Sequence, residues 1–448
     1  MADTIKIGNL DISAFKVGSS DCKIYLGDTL LYPTTPHDYS QDYFAIVSEE
    51  DNNTISLKNT GYNTTTSSNK YWHSVTISAS TDGGSTWSKF TTTRNGTTTF
   101  GTINKGDKIL FKSVTSKFAN TSDVYHYFNS TKNINAEGNI LSLIHGDNFL
   151  SNDSLPIISS KEANRTMQLG CIFKGNTKII SAKNLILKPT TLKPKCYASM
   201  FQGCTSLATA PELPATTTDE NSYQTMFDGC TSLTTAPTSI GTSSATIANL
   251  CCYSMFQGCT SLTTAPKLPA TTLANNCYLN MFYGCTSLAT APELPATTLA
   301  NSCYSNMFRN CTSLVTAPEL HAITLVNLCY NFMFDGCTSL TTAPKLPATT
   351  LANSCYQRMF QGCTSLATAP ELPATTLADY CYDNMFNGCT SLSDITCFAT
   401  DISASYCTNN WVNGVAASGT FKKPSNMSSW TTGINGIPSG WAVVDYSE

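Results

Sequence analysis

Cysteine is the residue type in this sequence whose number and spacing could most readily do chemistry. The chain has 20 cysteines, and such a count is compatible with disulfides, with a zinc site or with reactive thiols. Eight of them follow a glycine or an asparagine at intervals of 26 residues, once 29: Cys204, Cys230, Cys259, Cys285, Cys311, Cys337, Cys363 and Cys389. No Cys-x-x-Cys pair or neighbouring histidine accompanies them. We expect thiols that pack in a protein interior, with disulfides as the alternative, and neither a metal nor any other cofactor.

Other residues capable of catalysis are sparse. The five histidines are scattered and lie at His37, His73, His126, His145 and His321. None has a motif partner for nucleophilic catalysis, and no phosphate-binding glycine loop is present. Residues 80–87, STDGGSTW, fit the Asp-box pattern SxDxGxTW, in which the carboxylate, here Asp82, ties a turn together. The sequence predicts no catalytic residues and a protein that is not an enzyme; a glycan hydrolase built on this hairpin is the less favoured alternative.

The cysteines belong to a tandem repeat that must position them. One copy reads CYLNMFYGCTSLATAPELPATTLANS, residues 277–302. A fixed period of this size predicts a stacked array in which each unit buries its apolar face against its neighbours. We count ten units over residues 171–415, of which the first and last are degenerate, followed by a C-terminal cap at 416–448.

Each unit has two recognisable halves. Residues 299–308 carry apolar side chains at helical spacing, which predicts one helix-like turn. The glycine or Asn310 that follows tolerates a positive φ and ends the turn. Residues 314–317 are extended and run into Pro318, which favours a short strand. The fold class predicted for this part is a leucine-rich-repeat-like solenoid, within a chain that is mainly β.

The recurring MFxGCTSLxTAP segment and the phrase Leu-Pro-Ala-Thr-Thr-Leu resemble the BspA-like leucine-rich-repeat surface proteins of gut Bacteroidetes. The resemblance covers about residues 170–448 and includes the tail at 418–443. It implies the solenoid fold and a protein-binding or host-contact surface, without naming the partner.

The N-terminal third of the chain has a different pattern from the repeats, with short predicted strands separated by turns. Residues 1–37 contain three similar pieces, IKIGNLDI, FKVGSSDC and IYLGDTLLY, and predict a small β-module. The phrase KIYLGDTLLY resembles the N-terminal segment of virion proteins of phages that infect Bacteroidetes. That resemblance implies docking to other virion proteins; the alternative is a strand or two that pack on the next domain. The candidate docking residues are Lys23, Ile24, Tyr25, Leu26, Gly27 and Asp28.

Residues 38–150 alternate between apolar and polar side chains in short runs separated by turn residues, which predicts a β-sandwich. The expected strands are residues 43–47, 54–57, 74–78, 86–91, 108–112 and 124–128. Residues 151–170 are expected to be a linker.

Two sets of residues in the repeats are candidates for recognition. A tyrosine recurs once per unit, at Tyr197, Tyr223, Tyr253, Tyr278, Tyr304, Tyr330, Tyr356 and Tyr382. An exposed aromatic ladder could stack on glycans or pack on a protein, whereas rings half-buried between units would be structural. Positions that vary between copies predict a solvent-facing stripe. The candidate binding surface comprises Tyr278, Leu279, Asn280, Tyr283, Tyr304, Arg309, Tyr330, Phe332, Tyr356 and Arg358.

Charge narrows the class of partner. The net charge of −4 disfavours nucleic acid, and residues 196–395 carry 4 basic and 11 acidic residues, a net charge of −7, which disfavours a polyanion. No secretory signal and no apolar run long enough to span a bilayer are visible, so we expect no membrane insertion. The sequence favours a non-enzymatic phage fibre, spike or capsid decoration made in the host cytoplasm, whose solenoid contacts a bacterial surface protein or glycan. A bacterial cell-surface adhesin is the alternative, and assembly into a homo-oligomer stays open.

Overall fold

The computed structural model describes residues 37–60, 73–120, 123–156, 167–242, 246–427 and 430–446, together with four short strands nearer the N-terminus. Those strands are β1 (Ile5–Ile7), β2 (Leu10–Ile12), β3 (Ile24–Leu26) and β4 (Thr29–Tyr32). They form two antiparallel pairs, β1 with β2 and β3 with β4. The piece FKVGSSDC lies outside the described residues.

Two larger sheets follow. Their strands are β5 (Phe44–Ser48), β6 (Asn53–Asn59), β7 (Thr76–Ser80), β8 (Ser88–Thr91), β9 (Thr97–Ile103), β10 (Lys108–Ser113), β11 (His126–Ser130), β12 (Ile134–Asn139) and β13 (Ile179–Ile186). Six form one sheet in the order β13-β12-β5-β10-β7-β8, and three form another in the order β11-β6-β9. The described part of the chain is therefore mainly β, as predicted, with several sheets and no closed barrel. Its α-helix is confined to α1 (Ser142–His145).

Aromatic side chains fill the space between these two sheets. The ring of Phe128, on the three-stranded sheet, lies 5.3 Å from that of Phe44 and 4.9 Å from that of Phe111, both on the six-stranded sheet. All three are fully buried. Burial of a phenylalanine stabilises a fold by roughly 1.5–3 kcal/mol, so this cluster is a principal reason why the two sheets stay together.

The six-stranded sheet also reaches into the repeats. Strand β13 belongs to the first repeat unit and pairs in parallel with β12. The ring of Phe173, in the same unit, lies 6.0 Å from that of Phe44. The first unit thus continues both the sheet and the core that precede it. The boundaries proposed at residues 150 and 170 stay a prediction, and residues 157–166 lie outside the description.

The repeat units are joined by parallel bridges between equivalent residues. Thr290 bridges Thr316, which in turn bridges Thr342. The predicted strand at 314–317 is thus reduced to single-residue bridging, because Pro318 has no N–H to extend it. In the described part of the repeats, one pair of two-residue strands forms, where β14 (Thr246–Ile247) pairs with β15 (Thr272–Leu273).

The predicted helix-like turn is wrong. Residues 299–308 form consecutive turns, and residues with positive φ recur every four positions: 55° at Asn276, 58° at Asn280 and 72° at Gly284 in one unit. The same three positions have positive φ in each following unit through Gly414. The positive φ predicted at Asn310 is confirmed, at 59°. Right-handed helix does not tolerate such residues, so the backbone takes another course.

Alternate amides in these turns bond in different directions. The amides of Asn276, Tyr278 and Asn280 each donate to a carbonyl of the next unit at 3.0 Å. Those of Leu279 and Met281 instead donate to carbonyls three residues earlier in their own unit, at 3.3 and 3.1 Å. Every second amide therefore ties one unit to the next, which satisfies buried backbone groups without a helix.

Phenylalanine rings stack through the interior of the repeats. The stack comprises Phe173, Phe201, Phe227, Phe256, Phe282, Phe308, Phe334, Phe360 and Phe386. Neighbouring ring centroids are 5.3–5.8 Å apart, with interplanar angles of 2–12°. Trp411 continues the aromatic packing at 6.2 Å from Phe386 and stacks on Trp430 at 5.4 Å.

A three-stranded parallel sheet follows at the C-terminal end of the stack. It contains β16 (Asp394–Thr396), β17 (Thr420–Pro424) and β18 (Ala442–Tyr446), in that order. Phe421 of β17 is fully buried and packs edge-on against Trp411 at 6.1 Å. This segment covers the last aromatic ring of the repeats.

Candidate functional site

The recurring tyrosines are core residues. Tyr278, Tyr304, Tyr330 and Tyr356 are each 1 % exposed, so their assignment to the binding surface is wrong. Consecutive rings among these four stack 5.8–5.9 Å apart, and burial raises the pKa of each hydroxyl well above 10. The physical reason is that their amides and those of the neighbouring phenylalanines point along the stack, which turns both rings inward.

One member of the predicted tyrosine set was also misplaced. Cys252, four residues before Phe256, occupies the position that Tyr278 holds before Phe282, and Tyr253 lies one residue further on. Cys252 is fully buried, and its Sγ lies 3.6 Å from that of Cys251. The doubled cysteine shifts the tyrosine out of the core row, and counting one tyrosine per unit concealed that shift.

The repeated cysteines are packing and hydrogen-bonding residues. All 19 cysteines in the described part of the chain are buried and carry free thiols, which confirms the prediction of interior thiols. Each of the eight that follow Gly or Asn donates its thiol to the carbonyl of the phenylalanine in the preceding unit, at 3.0–3.2 Å. Burial raises the pKa of the Cys285 thiol to about 12. Such thiols are protonated near neutral pH and are poor nucleophiles or metal ligands. Among the described residues no group of three or more potential ligands could hold a metal ion.

Four of the predicted surface residues meet in one structure, which we call the arginine–aromatic stack: Tyr283, Arg309, Phe332 and Arg358. The guanidinium carbon of Arg309 lies 5.8 Å from the centroid of the Tyr283 ring and 4.9 Å from that of Phe332. The guanidinium carbon of Arg358 lies 5.0 Å from the Phe332 centroid. Four successive units thus contribute one member each, and cation–π contacts of this kind contribute roughly 0.5–1 kcal/mol each at exposed sites.

A buried carboxylate fixes one of the two arginines. Arg309 Nε lies 2.9 Å from Asp335 Oδ2, and the Asp335 side chain is only 10 % exposed. Burial raises the pKa of Asp335, while the charges of Arg309 and Arg358 act in the opposite direction. Within the described residues Arg358 forms no ion pair, and the buried Nε atoms of both arginines have no hydrogen-bond partner. The stack therefore holds one guanidinium in an ion pair with Asp335 and one without an ion pair.

The remaining two predicted surface residues do not join the stack. Leu279 is partly buried. Asn280 occupies the same place in its unit as Phe332 does, and its Nδ2 donates to Ser254 Oγ at 3.4 Å. Both contribute to packing between units.

Two exposed tyrosines were missed from the sequence. Tyr380 and Tyr406, 39 % and 62 % exposed, stack on each other with centroids 5.1 Å apart. When units are counted by their runs of turns, Tyr380 belongs to the unit of Phe386, which follows the unit of Arg358. We call the set of six residues, the arginine–aromatic stack together with Tyr380 and Tyr406, the oblique strip. Tyr283 and Arg309 lie one residue after the phenylalanine position of their units, and Phe332 and Arg358 lie two residues before it. Tyr380 and Tyr406 lie six residues before it, so the strip crosses the turns at an angle.

Backbone conformation distinguishes the last four members of the strip. The φ angles are 55° at Phe332, 56° at Arg358, 57° at Tyr380 and 53° at Tyr406. Most equivalent positions in other units hold Asn or Ser, for example Asn306 and Ser302, although Leu250 and Leu328 also have positive φ. Asparagine is the non-glycine residue that best tolerates this region. A bulky side chain there costs on the order of 1–2 kcal/mol. Bulky residues at places that favour asparagine were the signal that could have revealed Tyr380 and Tyr406.

A second surface feature runs beside the bridging threonines. Proline rings of successive units line shallow recesses of about 410 and 310 Å³, which share Pro292, Glu293 and Pro295. The recurring Glu or Lys before Leu-Pro, such as Lys267, lies on their rims. Their side chains are nearly the same from unit to unit, so these recesses offer less variety for recognition than the oblique strip.

The Asp-box hairpin has the structural role that the sequence predicts. Asp82 accepts hydrogen bonds from Ser80 Oγ at 2.7 Å and from Thr86, through its amide at 2.9 Å and its hydroxyl at 2.6 Å. The bonds from Thr86 and Ser80 lower the pKa of Asp82 to about 2. Trp87 Nε1 closes the turn on the carbonyl of Gly84 at 3.0 Å. Asp82 is thus fully used in fixing the turn.

The proposed docking segment forms the β3–β4 hairpin. Ile24, Tyr25 and Leu26 make up β3 and pair with β4. Lys23, Gly27 and Asp28 lie outside the described residues, so the docking role of the segment stays a prediction.

No helix in the described part of the chain is long and apolar enough to cross a membrane. Compared with known protein families, curated protein sequences and solved structures, the chain gives no match.

Proposed function

We propose that this chain is a non-enzymatic phage virion protein, a fibre, spike or capsid decoration, whose repeats present an attachment surface to the host bacterium. In this proposal the repeats form a leucine-rich-repeat-like solenoid of the BspA type, the two N-terminal sheets form a β-sandwich, and the β3–β4 hairpin docks to other virion proteins.

The observation that carries the attachment role is the oblique strip. Six consecutive units each place one aromatic or guanidinium side chain on the same run of turns. Four of these side chains occupy positive-φ positions, where they lower the stability of the fold. Side chains that break a local backbone rule are typical of functional sites. Tyrosine and arginine are also the residue types that dominate binding energy at interfaces.

The repeats suit such a role because they hold the strip rigidly. Amides of every second turn residue bond to the next unit, and the phenylalanine stack fills the interior beneath. A binding surface on such a backbone loses little conformational entropy when a ligand is bound. The resemblance of KIYLGDTLLY to virion docking segments supports placement on a particle.

Mass spectrometry of purified phage particles tests the proposal. We expect the protein in a fixed number of copies per particle, retained through density-gradient purification. Its absence from particles, together with recovery from the outer surface of bacterial cells, would replace this function with that of a bacterial adhesin. Release of sugars from host polysaccharide by the purified protein would contradict the non-enzymatic part.

A further inference from the structure

The oblique strip has an electrostatic feature that its role in attachment does not by itself explain. Residues 196–395 contain only four basic residues, Lys267, Arg309, Lys345 and Arg358. Two of these four, Arg309 and Arg358, place their guanidinium carbons 4.9 and 5.0 Å from the centroid of one ring, Phe332. The strip is therefore a local positive site on a surface that is otherwise acidic.

Only one of the two guanidiniums forms an ion pair. Asp335 pairs with Arg309 at 2.9 Å, whereas Arg358 forms no ion pair among the described residues. The buried Nε atoms of both arginines lack a hydrogen-bond partner. The planar donors of a guanidinium match a carboxylate, which accepts two parallel hydrogen bonds. A single carboxylate of a ligand would complete the site at Arg358.

The rest of the strip limits what can carry that carboxylate. Core phenylalanine rings of successive units have centroids 5.3–5.8 Å apart, which is close to the length of one sugar residue in an extended polysaccharide. Tyr380 and Tyr406 are exposed and lie one and two units beyond Arg358. The two tyrosine rings stack on each other with centroids 5.1 Å apart, so their exposed edges and hydroxyl groups can contact neighbouring sugars while the carboxylate remains at Arg358.

We propose that the oblique strip binds an extended polysaccharide whose carboxylates are widely spaced, with one carboxylate at Arg358 and neighbouring sugars against Tyr380 and Tyr406. The net charge of −7 over residues 196–395 repels a dense polyanion. Specificity thus comes from one attractive guanidinium within a repulsive field. This ligand assignment rests on the attachment role proposed above.

An array of immobilised bacterial polysaccharides tests the assignment. Each is spotted in its native form and after its carboxylates have been reduced to primary alcohols, alongside polygalacturonate as a dense polyanion. The wild-type protein is expected to bind native polysaccharides that carry one uronate per several sugars, and to lose about tenfold or more in affinity after reduction, as expected when a charged hydrogen-bond partner is removed.

Matched variants take their residues from other units, which keeps the backbone satisfied. Arg358→Asn introduces the residue found at the equivalent Asn306 and Asn384, and should lose the preference for the native over the reduced form. The pair Tyr380→Ser and Tyr406→Ser should weaken binding to both forms. Gln257→Ala, at the position equivalent to Tyr283 but outside the strip, should bind as the wild type does.

Three results would overturn the assignment: equal binding of native and reduced polysaccharides, tightest binding to polygalacturonate, or binding that Arg358→Asn leaves unchanged. Binding to none of the polysaccharides would do the same. None of these results alters whether the protein is found in particles, so a wrong ligand class can be told apart from a wrong proposed function.

Discussion

Replacement of Gly362 is the sharpest test of the turn geometry on which the strip depends. Gly362 has φ of 71°, and a Cβ added there would lie 3.7 Å from Gly336 Cα, an ordinary contact. The effect of Gly362→Ala should therefore come from backbone strain alone. A Cβ in left-handed conformation costs roughly 1–2 kcal/mol. The lower entropy of alanine in the unfolded chain offsets about 0.4–1 kcal/mol of this cost. We expect a net loss of about 1 kcal/mol in the free energy of unfolding.

Gly362→Asn provides the matched control. Asparagine also adds a Cβ but tolerates positive φ, and Asn310 already occupies the equivalent position with φ of 59°. Gly362→Asn should lower the free energy of unfolding by about half as much as Gly362→Ala does, or less. Urea unfolding followed by tryptophan fluorescence suits the measurement, because Trp411, Trp430 and Trp441 lie just beyond this part of the stack. Equal stability of the alanine variant and the wild type would refute the proposed positive-φ geometry, as would equal losses for alanine and asparagine.

Three further predictions follow from the buried and charged groups. Burial lowers the pKa of His126 to about 4, so the neutral ring stabilises the fold above pH 6.5 and this contribution is lost as the pH falls from 6.5 to 4. When the free energy of unfolding by urea is measured over this pH range, it should fall less steeply for His126→Gln than for the wild type. An unchanged dependence of the unfolding free energy on pH would contradict this role of His126. The pKa of Asp82, lowered to about 2, predicts a further loss of folding stability between about pH 4 and 2. Asp82→Asn should remove this loss of stability, and its persistence in the variant would disprove the turn-fixing role of Asp82. Thiol reagents should leave the 19 buried cysteines unmodified in the native protein and label them in denaturant, as mass spectrometry can count; rapid native labelling at Cys311 would contradict its burial.

Much of the N-terminal fold follows from alternation of apolar and polar residues. All six strands predicted between residues 38 and 150 have counterparts among β5 to β11, with bounds within about two residues. Strands β9 (Thr97–Ile103) and β12 (Ile134–Asn139) were not predicted. The first is rich in threonine, and three of its seven residues are exposed while three are only partly buried, so its apolar alternation is weak. The second is fixed by pairing with β13, some forty residues later, which local pattern cannot reveal.

The repeats show why periodicity identified the array but gave the wrong local structure. Apolar residues four apart suggested a helix, yet the same spacing arises because positive-φ residues recur every four positions. Sequence patterns report that side chains share a face, and two different backbones can produce that result. The cysteine bonds to carbonyls in the preceding unit were equally invisible, since they join residues 29 or more positions apart.

For a similar reason, the sequence patterns selected only some of the residues of the candidate site. Variation between copies selected Tyr283, Arg309, Phe332 and Arg358, which the structure brings into contact with one another. Their role in binding stays a prediction. Recurrence, in contrast, pointed to the buried tyrosines, because an identical residue in every unit serves the core as readily as a surface. Bulky residues at positive-φ positions add Tyr380 and Tyr406, and the same pattern also selects Leu250 and Leu328.

Competition for adsorption of phage particles to host cells tests the central claim most directly. Purified wild-type protein, added in excess, should occupy the host surface and reduce adsorption in a dose-dependent manner. A variant that carries Phe332→Asn and Arg358→Asn, which keeps residues native to other units at both positions, should fail to compete, while Gln257→Ala should compete fully. Equal competition by the double variant and the wild type would show that the oblique strip is not the attachment surface.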